Sequence, residues 1–326
     1  MRVGLTYDLR DDYIAAGMSE EETAEFDKID TIEAIENAIR TAGHESVRIG
    51  NVTSLVQRLA KNERWDLVFN IAEGLYGFGR EAQVPALLDA YQIPYVFSGP
   101  LVQAVTLHKG IAKHVVRDNG LPTPDFAVIN CADDIAAVEL PYPLFAKPVA
   151  EGTGKGVSAA SKITDRQMLQ TTCEELLATF KQPVLVETFL PGREFTVGIV
   201  GNGSEARSIG VLEVVLLADS EPDVYSYHNK AFFENLVEYH KVNDAEAQKA
   251  EEVALACYRV LGCSDAGRVD LRSDSTGLPN FIEINSLPGL HPVISDLTIL
   301  ADKHGINYQQ LISNILDAAL KRLRLR

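Results

Sequence analysis

The chain lacks the features that mark nucleic-acid-binding, membrane and secreted proteins. Its 326 residues contain 30 lysines plus arginines against 46 aspartates plus glutamates, which gives a net charge of −16. Nucleic acids and anionic membranes are bound through basic surfaces, so we expect neither as a partner. No apolar run approaches the roughly 18 residues of a membrane span, and the N-terminus turns acidic before the apolar stretch of a signal peptide could form. We therefore expect a cytoplasmic protein.

Cysteine is scarce, and its spacing indicates no chemistry. The four cysteines, at positions 131, 173, 257 and 263, form no C-x-x-C pair and belong to no histidine pattern. Zinc sites and redox dithiols require such spacing. We expect the four thiols to be core or incidental side chains, and we assign none of them a function.

Two common nucleotide-binding motifs are also missing. A P-loop requires G-x-x-x-x-G-K-[ST], but here Val149 takes the first glycine position and Gly156 takes the hydroxyl position. No G-x-G-x-x-G lies between a first strand and a helix, so a dinucleotide-binding fold has little support. What the chain does have is Lys147 at the end of an apolar strand, followed by a glycine-rich stretch at 151–156. The backbone N–H groups of such a stretch suit an anion, and a glycine-rich hairpin tip is the alternative.

The hydrophobic pattern predicts three units. Strands alternate with amphipathic helices to about residue 105, including a short strand YVFSG at 95–99, which is typical of a parallel α/β domain. A second unit at 106–185 begins at a proline-containing turn. The third, at 186–326, is predicted to be an α+β domain that includes the strand PVLVETFL. We interpret 219–241 as a lid over a site, with an ordinary loop as the alternative.

Residues 267–285, GRVDLRSDSTGLPNFIEIN, read as a β-hairpin around a glycine-containing turn. Its apolar face is predicted to consist of Val269, Leu271, Ile282 and Ile284. If the turn is centred between residues 276 and 277, Asp270 lies opposite Glu283 and Arg268 lies opposite Asn285 on the other face. Paired carboxylates of this kind suit Mg²⁺ together with substrate phosphates, and a solvated polar face is the alternative.

The order of motifs along the chain resembles the ATP-grasp superfamily, and most closely the D-alanyl-D-alanine ligase family. The motifs are VFN with EG, IPYVFSG, HKGIAKHVVRDNGLPTPDF, FAKP, EGTGKG, PGREFTVGIV, GRVDLR and EINSLPG. The resemblance runs through nearly the whole chain. It implies a three-domain fold, α/β and α+β, with a parallel α/β N-terminal domain and ATP held between two antiparallel sheets.

Carried over by position, the resemblance also implies a nucleotide site, a metal site and two catalytic cations. The phosphates would be bound by Lys109 and Lys147 under a loop of Glu151, Gly152, Thr153, Gly154, Lys155 and Gly156. Adenine would lie near Glu187, Phe189 and Leu190, and the ribose near Glu194. Two Mg²⁺ ions, or Mn²⁺, would be held by Asp270, Glu283 and Asn285. Lys230 would approach the γ-phosphate, and Arg268 would stabilise the tetrahedral intermediate.

The residues expected to bind the amino-acid substrates depart from the ligase pattern. The family's S-x-E glutamate, which holds the first substrate's ammonium, has no clear counterpart. Asp8, Arg10 and Asp11 are the candidates, and Glu73 is a further acid that could bind the amine. The His-Gly pair that the family has in its first domain is replaced by Glu73-Gly74 here. A tyrosine expected after the lid lysine is Ala231, and Lys155 inside the glycine-rich loop is an addition.

The resemblance implies an ATP-dependent carboxylate–amine ligase that forms an amide or peptide bond through an acyl phosphate. Its substrates would be small amino acids or peptides, with D-alanine dimerisation as one activity among several. The family's habit suggests a homodimer through the first domain. The alternatives are an ATP-binding regulatory protein that has lost catalysis and an ATP-grasp enzyme that phosphorylates or carboxylates its substrate.

Overall fold

The computed structural model describes residues 1–217 and 236–325. The strands are β1 Arg2–Thr6, β2 Glu45–Gly50, β3 Leu67–Asn70, β4 Phe126–Ile129, β5 Leu144–Pro148, β6 Lys162–Ile163, β7 Val184–Thr188, β8 Glu194–Val200, β9 Arg207–Leu216, β10 Val237–Lys241, β11 Ala266–Ser273 and β12 Pro279–Asn285. The α-helices, numbered along the described residues, are α1 Arg10–Ala15, α2 Ile29–Thr41, α3 Val52–Ala60, α4 Gln83–Ala90, α5 Pro100–Leu107, α6 Lys109–Asp118, α7 Arg166–Phe180, α8 Ala245–Val260, α9 Asp296–Lys303 and α10 Tyr308–Arg322.

The N-terminal unit is a parallel sheet in the order β2-β1-β3 with helices around it. The apolar stripe of α2, with Ile35 and Ile39, is fully buried against strand residues such as Leu5. Leu297 of α9 and Ile312 of α10 belong to the same core. The last two helices of the chain therefore pack with the first unit, because their apolar faces complete its core.

The prediction of a strand at 95–99 was wrong. Only Tyr95 forms a bridge, to Val68 of β3. Phe97 has a φ of +74°, and its N–H donates to Asp265 Oδ2 at 2.8 Å. A left-handed residue turns the chain away from the sheet after this single bridge, so the rest of the segment does not pair with β3 and Phe97 bonds to Asp265 instead.

The central sheet is antiparallel in the order β4-β7-β5-β6, and α7 covers one of its faces. Strand β7 contains most of the segment PVLVETFL and pairs on both sides within this sheet. The prediction that placed this strand in the last unit was therefore wrong, since the position 185/186 falls inside β7. An apolar run predicts a strand but does not specify its partners.

The C-terminal sheet is antiparallel in the order β10-β9-β8-β11-β12. One face packs against α8 through buried residues that include Val197, Ala254 and Leu271. Within the interval interpreted as a lid, residues 237–241 form strand β10, paired with β9. Residues 219–235 of that interval, including Lys230 and Ala231, lie outside the described residues.

The predicted hairpin forms, and its register is confirmed where the chemistry was expected. Arg268 pairs with Asn285, and Asp270 pairs with Glu283. The register then shifts by one residue, so that Leu271 pairs with Phe281. Phe281 enters the core, and Ile282, predicted on the apolar face, lies on the opposite side of the hairpin. A β-bulge of one residue accounts for this change of side.

No helix in the described ranges 1–217 and 236–325 combines the length and the apolar character that a bilayer crossing requires.

Candidate active site

A cleft lies between the central sheet and the C-terminal sheet, and it contains most of the residues that the sequence assigned to a nucleotide. Nine of those twelve residues line it: Lys109, Lys147, Glu151, Gly154, Lys155, Glu187, Phe189, Leu190 and Glu194. Asp270 and Glu283 of the hairpin also line the cleft. Gly152, Thr153 and Gly156 belong to the same glycine-rich loop but do not line it. The fold thus brings together segments that are up to about 170 residues apart in the chain.

Lysines and glutamates alternate at one end of the cleft. Glu283 lies 3.5 Å from Lys109 Nζ and 4.0 Å from Lys147 Nζ, and Lys147 is also 3.1 Å from Glu187. Burial alone would lower the pKa of Lys147, but Glu187 and Glu283 raise it above its usual value. Both lysines are almost fully buried. Two buried lysine side chains thus converge in a desolvated cleft, which suits the phosphates of a nucleotide.

Lys113 is a residue of this network that the sequence analysis missed. Its side chain is fully buried, and its Nζ lies 2.7 Å from Glu187 and donates to the Phe281 carbonyl at 3.0 Å. Burial lowers the pKa of Lys113 to about 8 even though Glu187 opposes the shift. The signal was available, because Lys113 follows Lys109 by four residues on helix α6 and therefore shares its face.

We expect Lys113→Ala to destabilise the protein by about 3 kcal/mol, because it removes one partner of a buried ion pair and opens a cavity. Lys147 would still pair with Glu187, which limits the loss. Urea unfolding of Lys113→Ala against Lys303→Ala, an exposed lysine at the end of α9, measures the difference. Equal unfolding midpoints for the two variants would show that the pair contributes no stability.

The glycine-rich loop is a series of tight turns. Thr153, Gly154 and Gly156 have φ values of +51°, +75° and +74°. A Cβ atom at Gly156 would lie 2.5 Å from Pro148 Cγ, so the position requires glycine. The loop is fixed at its base, since Lys109 Nζ donates to the Glu151 carbonyl at 2.6 Å.

The other end of the cleft is apolar and aromatic. Phe145, Leu190 and Ile282 line it together with Phe189, whose ring has Lys162 at 4.5 Å and Arg272 at 5.1 Å. Arg272 also pairs with Glu194 at 3.4 Å. Sequence reasoning missed Phe145, Arg272 and Ile282 here. Ile282 could not have been found, because it reaches the cleft only through the bulge in the hairpin.

The polar face of the hairpin carries the predicted metal residues. Asp270 accepts hydrogen bonds from Thr196 Oγ1 at 2.8 Å and from Asn285 Nδ2 at 3.4 Å. Glu283, directly across the ladder, faces Lys109. Among residues 1–217 and 236–325 no group of three or more histidine, cysteine, aspartate or glutamate side chains could hold a metal ion by itself. Two carboxylates and an amide do suit Mg²⁺ that takes its remaining ligands from phosphates and water, so the donor set fits that ion.

Arg268 lies at the far side of Asp270. Its guanidinium contacts Asp270 at 2.8 Å and Asp296 at 2.9 Å, and Tyr239 OH donates to Asp296 at 2.6 Å. Although burial would lower the pKa of Arg268, Asp270 and Asp296 raise it, so the side chain stays charged. A buried arginine held on both sides is a rigid cation that can stabilise negative charge developing beside the hairpin.

Several carboxyl groups of the first unit were candidates for the first substrate's ammonium. Asp8 is buried and accepts hydrogen bonds from Tyr13 OH and, at 2.8 Å, from Gly74 N–H. Arg10 bonds to Thr23 and to the Glu20 carbonyl, and Asp11 is exposed on α1. The Asp8 carboxylate therefore already has hydrogen-bond partners within the first unit, and Asp11 faces solvent.

Glu73 and Glu81 are two further carboxyl groups of the first unit whose pKa values are raised. Burial, together with the charges of Glu81 and Glu25, raises the pKa of Glu73 well above its usual value. Burial raises the pKa of Glu81 to about 7, with Arg80 and Lys109 near enough to oppose the shift. Enclosed carboxyl groups that resist ionisation gain most from a cationic ligand.

A similar raised pKa makes stability depend on pH. Burial and the nearby Asp8 raise the pKa of Asp27 to about 8, whereas an unfolded aspartate titrates near 4. Ionising Asp27 therefore costs free energy in the folded protein only, and stability falls as pH rises between those values. We expect Asp27→Asn to raise Tm by a few degrees at pH 8.5 and to leave it nearly unchanged at pH 4.5. Asp11→Asn is the exposed control, and an equal effect of Asp27→Asn at both pH values would contradict the argument.

Comparison with known proteins identifies the family of the chain. Residues 115–317 match the family model described as D-ala D-ala ligase C-terminus. The uncharacterized protein y4sG of Sinorhizobium fredii is 31% identical over 297 residues, covering 87% of this chain and 86% of the relative. The D-alanine–D-alanine ligase of Bordetella avium is 32% identical over 255 residues, covering 76% of each.

Solved structures show the same fold. The D-alanine–D-alanine ligase of Bacillus anthracis complexed with ATP aligns with a TM-score of 0.74 at 24% identity, covering 100% of this chain and 99% of that one. The VanG D-Ala:D-Ser ligase of Enterococcus faecalis aligns with a TM-score of 0.74 at 20% identity, covering 98% and 99%. The predicted fold class and family are confirmed, and the chain belongs to the D-alanine–D-alanine ligase family of ATP-grasp proteins.

Proposed function

We propose that this protein is an ATP-dependent carboxylate–amine ligase whose preferred substrates differ from two D-alanines. The observation that carries the proposal is the cleft itself, in which buried Lys109 and Lys147 and the carboxylates Asp270 and Glu283 converge from four separate segments beside Arg268. Family membership supports ligase chemistry, and the ATP complex of the Bacillus anthracis relative supports ATP as the nucleotide.

The chemistry proceeds in two steps. A carboxylate oxygen of the first substrate attacks the γ-phosphorus of ATP, and an acyl phosphate and ADP result. The amine of the second substrate attacks the acyl carbon, the carbon–oxygen bond to phosphate breaks, and amide, inorganic phosphate and a proton are released. The enzyme's contribution is positioning and charge neutralisation.

Each group in the cleft has a role in this proposal. Lys109 and Lys147 bind the phosphates, Phe189 and Leu190 contact adenine, Glu187 also lies at the adenine site, and Glu194 binds the ribose. Asp270, Glu283 and Asn285 would hold two Mg²⁺ ions, which would screen the phosphate charge. Arg268 stabilises the oxyanion of the tetrahedral intermediate. Lys230 lies outside the described residues, and its role near the γ-phosphate is proposed from the family resemblance alone.

The acidic residues Glu73 and Glu81 of the first unit support a first substrate that carries a positively charged group. Glu73 and Glu81 lie in the first unit near Arg80, and Glu81 is within electrostatic reach of Lys109. Glu73 stands where the family resemblance leads us to expect a histidine, so an acidic side chain replaces an imidazole ring at this position. We further propose a homodimer through the first unit and a cytoplasmic location, both as expected from the family.

The proposal is tested by a screen of phosphate release. The protein is incubated with ATP, Mg²⁺ and either D-alanine alone or pairs drawn from L- and D-amino acids, small dipeptides and dicarboxylates. We expect a pair other than two D-alanines to give the highest kcat/KM. If D-alanine alone gives the highest value and yields the dipeptide, the substrate proposal is wrong. Phosphate transfer without an amide product would favour a phosphorylating or carboxylating enzyme, and no turnover with any pair would favour the inactive regulatory protein.

A further inference from the structure

The additional lysine of the glycine-rich loop, Lys155, is part of a contact between two units of the protein. Its Nζ lies 2.6 Å from Glu151 within the loop and 3.3 Å from Glu25 of the first unit. Glu25 also accepts a hydrogen bond from Gly152 N–H at 2.6 Å, and its other carboxylate oxygen lies 2.9 Å from Arg80. One carboxylate of the first unit is therefore bound by three donors, two of which belong to the loop.

Arg80 extends the contact to the base of the loop. Its second terminal nitrogen donates to the Ala150 carbonyl at 2.9 Å. The side chains of Glu25, Arg80 and Lys155 are 8%, 9% and 11% exposed, so solvent screens their interaction little. Burial would raise the pKa of Glu25, but Arg80 and Lys155 lower it below its usual value, so the carboxylate stays ionised.

The geometry of the loop is adapted to this approach. A Cβ atom at Gly152 would lie 2.9 Å from Glu25 Oε1 and 3.2 Å from its Cδ. Glycine at 152 therefore allows the Glu25 carboxylate to reach the backbone N–H. The neighbouring residues Gly154 and Lys155 line the cleft next to Lys109 and Lys147. The contacts that hold the glycine-rich loop from the first unit therefore also hold the wall of the phosphate site in place.

We propose that Glu25 is a positioning residue for the nucleotide site, which holds the glycine-rich loop closed over the phosphates from the first unit. The proposal rests on the proposed function, since it assumes that the cleft binds a nucleotide. Glu25 does not line the cleft. It acts through Gly152 and Lys155, and Arg80 connects the same contact to the region of Glu73 and Glu81, where a cationic substrate is expected.

Two measurements on Glu25→Gln test the inference, with Glu21→Gln as the control because Glu21 is an exposed acid of the same segment. Hydrogen–deuterium exchange of peptides covering 150–157 requires no activity, and we expect it to be at least about tenfold faster in Glu25→Gln without nucleotide. Calorimetry with a non-hydrolysable ATP analogue is expected to give an affinity about tenfold weaker. Exchange in the hairpin peptides 267–285 and all values for Glu21→Gln are expected to match the parent protein.

The outcomes separate this inference from the proposed function. If the parent protein binds the analogue and Glu25→Gln binds it equally well with unchanged exchange at 150–157, the inference is overturned and the proposed function stands. If the parent protein binds no analogue, both are overturned.

A second variant reaches the same contact from the loop side. Gly152 does not have a positive φ, so Gly152→Ala acts by pushing the Glu25 carboxylate away and not by straining the backbone. We expect Gly152→Ala to weaken analogue binding alone and to add little to Glu25→Gln, because both changes break one contact. Fully additive losses in the double variant would overturn the inference, since they would show that the two residues act independently.

Discussion

Replacement of Glu283 by glutamine is expected to lower kcat at least about a hundredfold without unfolding the protein. Glu283 is on the polar face of the hairpin, opposite Asp270, and its carboxylate is one of the two anionic groups proposed to hold Mg²⁺. Glutamine has nearly the same shape, and the apolar face that packs against α8 is untouched. Asp270→Asn is expected to act in the same direction, but it also removes a partner of Arg268, so Glu283→Gln is the cleaner variant.

Binding experiments distinguish a metal role for Glu283 from a role in positioning the lysines. In the presence of a chelator, Glu283→Gln is expected to bind ADP at least as tightly as the parent protein, because a negative charge has been removed next to the phosphates. The Mg²⁺ concentration for half-maximal activity is expected to rise. Asp302→Asn, which changes an exposed acid of α9 outside the cleft, is the control. Activity of Glu283→Gln within about tenfold of the parent would refute the metal assignment.

Replacement of Lys147 by alanine is expected to weaken ATP binding by roughly 2–3 kcal/mol, which is about 30- to 150-fold in Kd. Lys147 is buried at the end of β5, and it can offer a charge-assisted hydrogen bond to a phosphate in a cleft with little screening. The protein is expected to fold, because Lys113 continues to neutralise Glu187 at 2.7 Å.

Two controls make the Lys147 experiment decisive. Lys147→Arg keeps the charge but not the compact ammonium group, so an intermediate loss is expected. Lys241→Ala removes an exposed lysine from β10 and is expected to leave Kd unchanged. Calorimetric affinity of Lys147→Ala equal to that of the parent would show that the phosphates bind elsewhere.

Much of the site could be predicted because local patterns specify it. Turn residues at 273–279 between two alternating segments predict the hairpin and the polar face that carries Asp270 and Glu283. The direct pairing of these two carboxylates also depends on the one-residue bulge after Asp270, which the turn does not specify. The strand that ends in Lys147 and the glycines that follow it are likewise visible in the sequence. Patterns of this kind depend on the periodicity of strands and on the conformational demands of turns, and both are properties of neighbouring residues.

The remaining features depend on contacts between distant segments. No local pattern shows that a bulge moves Ile282 into the cleft, that Phe97 turns the chain away from β3, or that β7 pairs in the central sheet. Lys155 stood out in the sequence as an addition, but its partner Glu25 is 130 residues away. Long-range ion pairs of this type follow from the packing of whole units, which the periodicity of single segments does not contain.

Transfer of ¹⁸O from the substrate carboxylate to inorganic phosphate tests the central claim most directly. The carboxylate substrate that supports the fastest phosphate release is labelled with ¹⁸O in both carboxylate oxygens and incubated with ATP, Mg²⁺ and its amine partner, and the phosphate is analysed by mass spectrometry. Attack by the carboxylate on the γ-phosphorus predicts one ¹⁸O atom in each phosphate released, in step with amide formation. Phosphate that contains no ¹⁸O would show that the carboxylate is never phosphorylated, and it would contradict the assignment of this protein as a carboxylate–amine ligase.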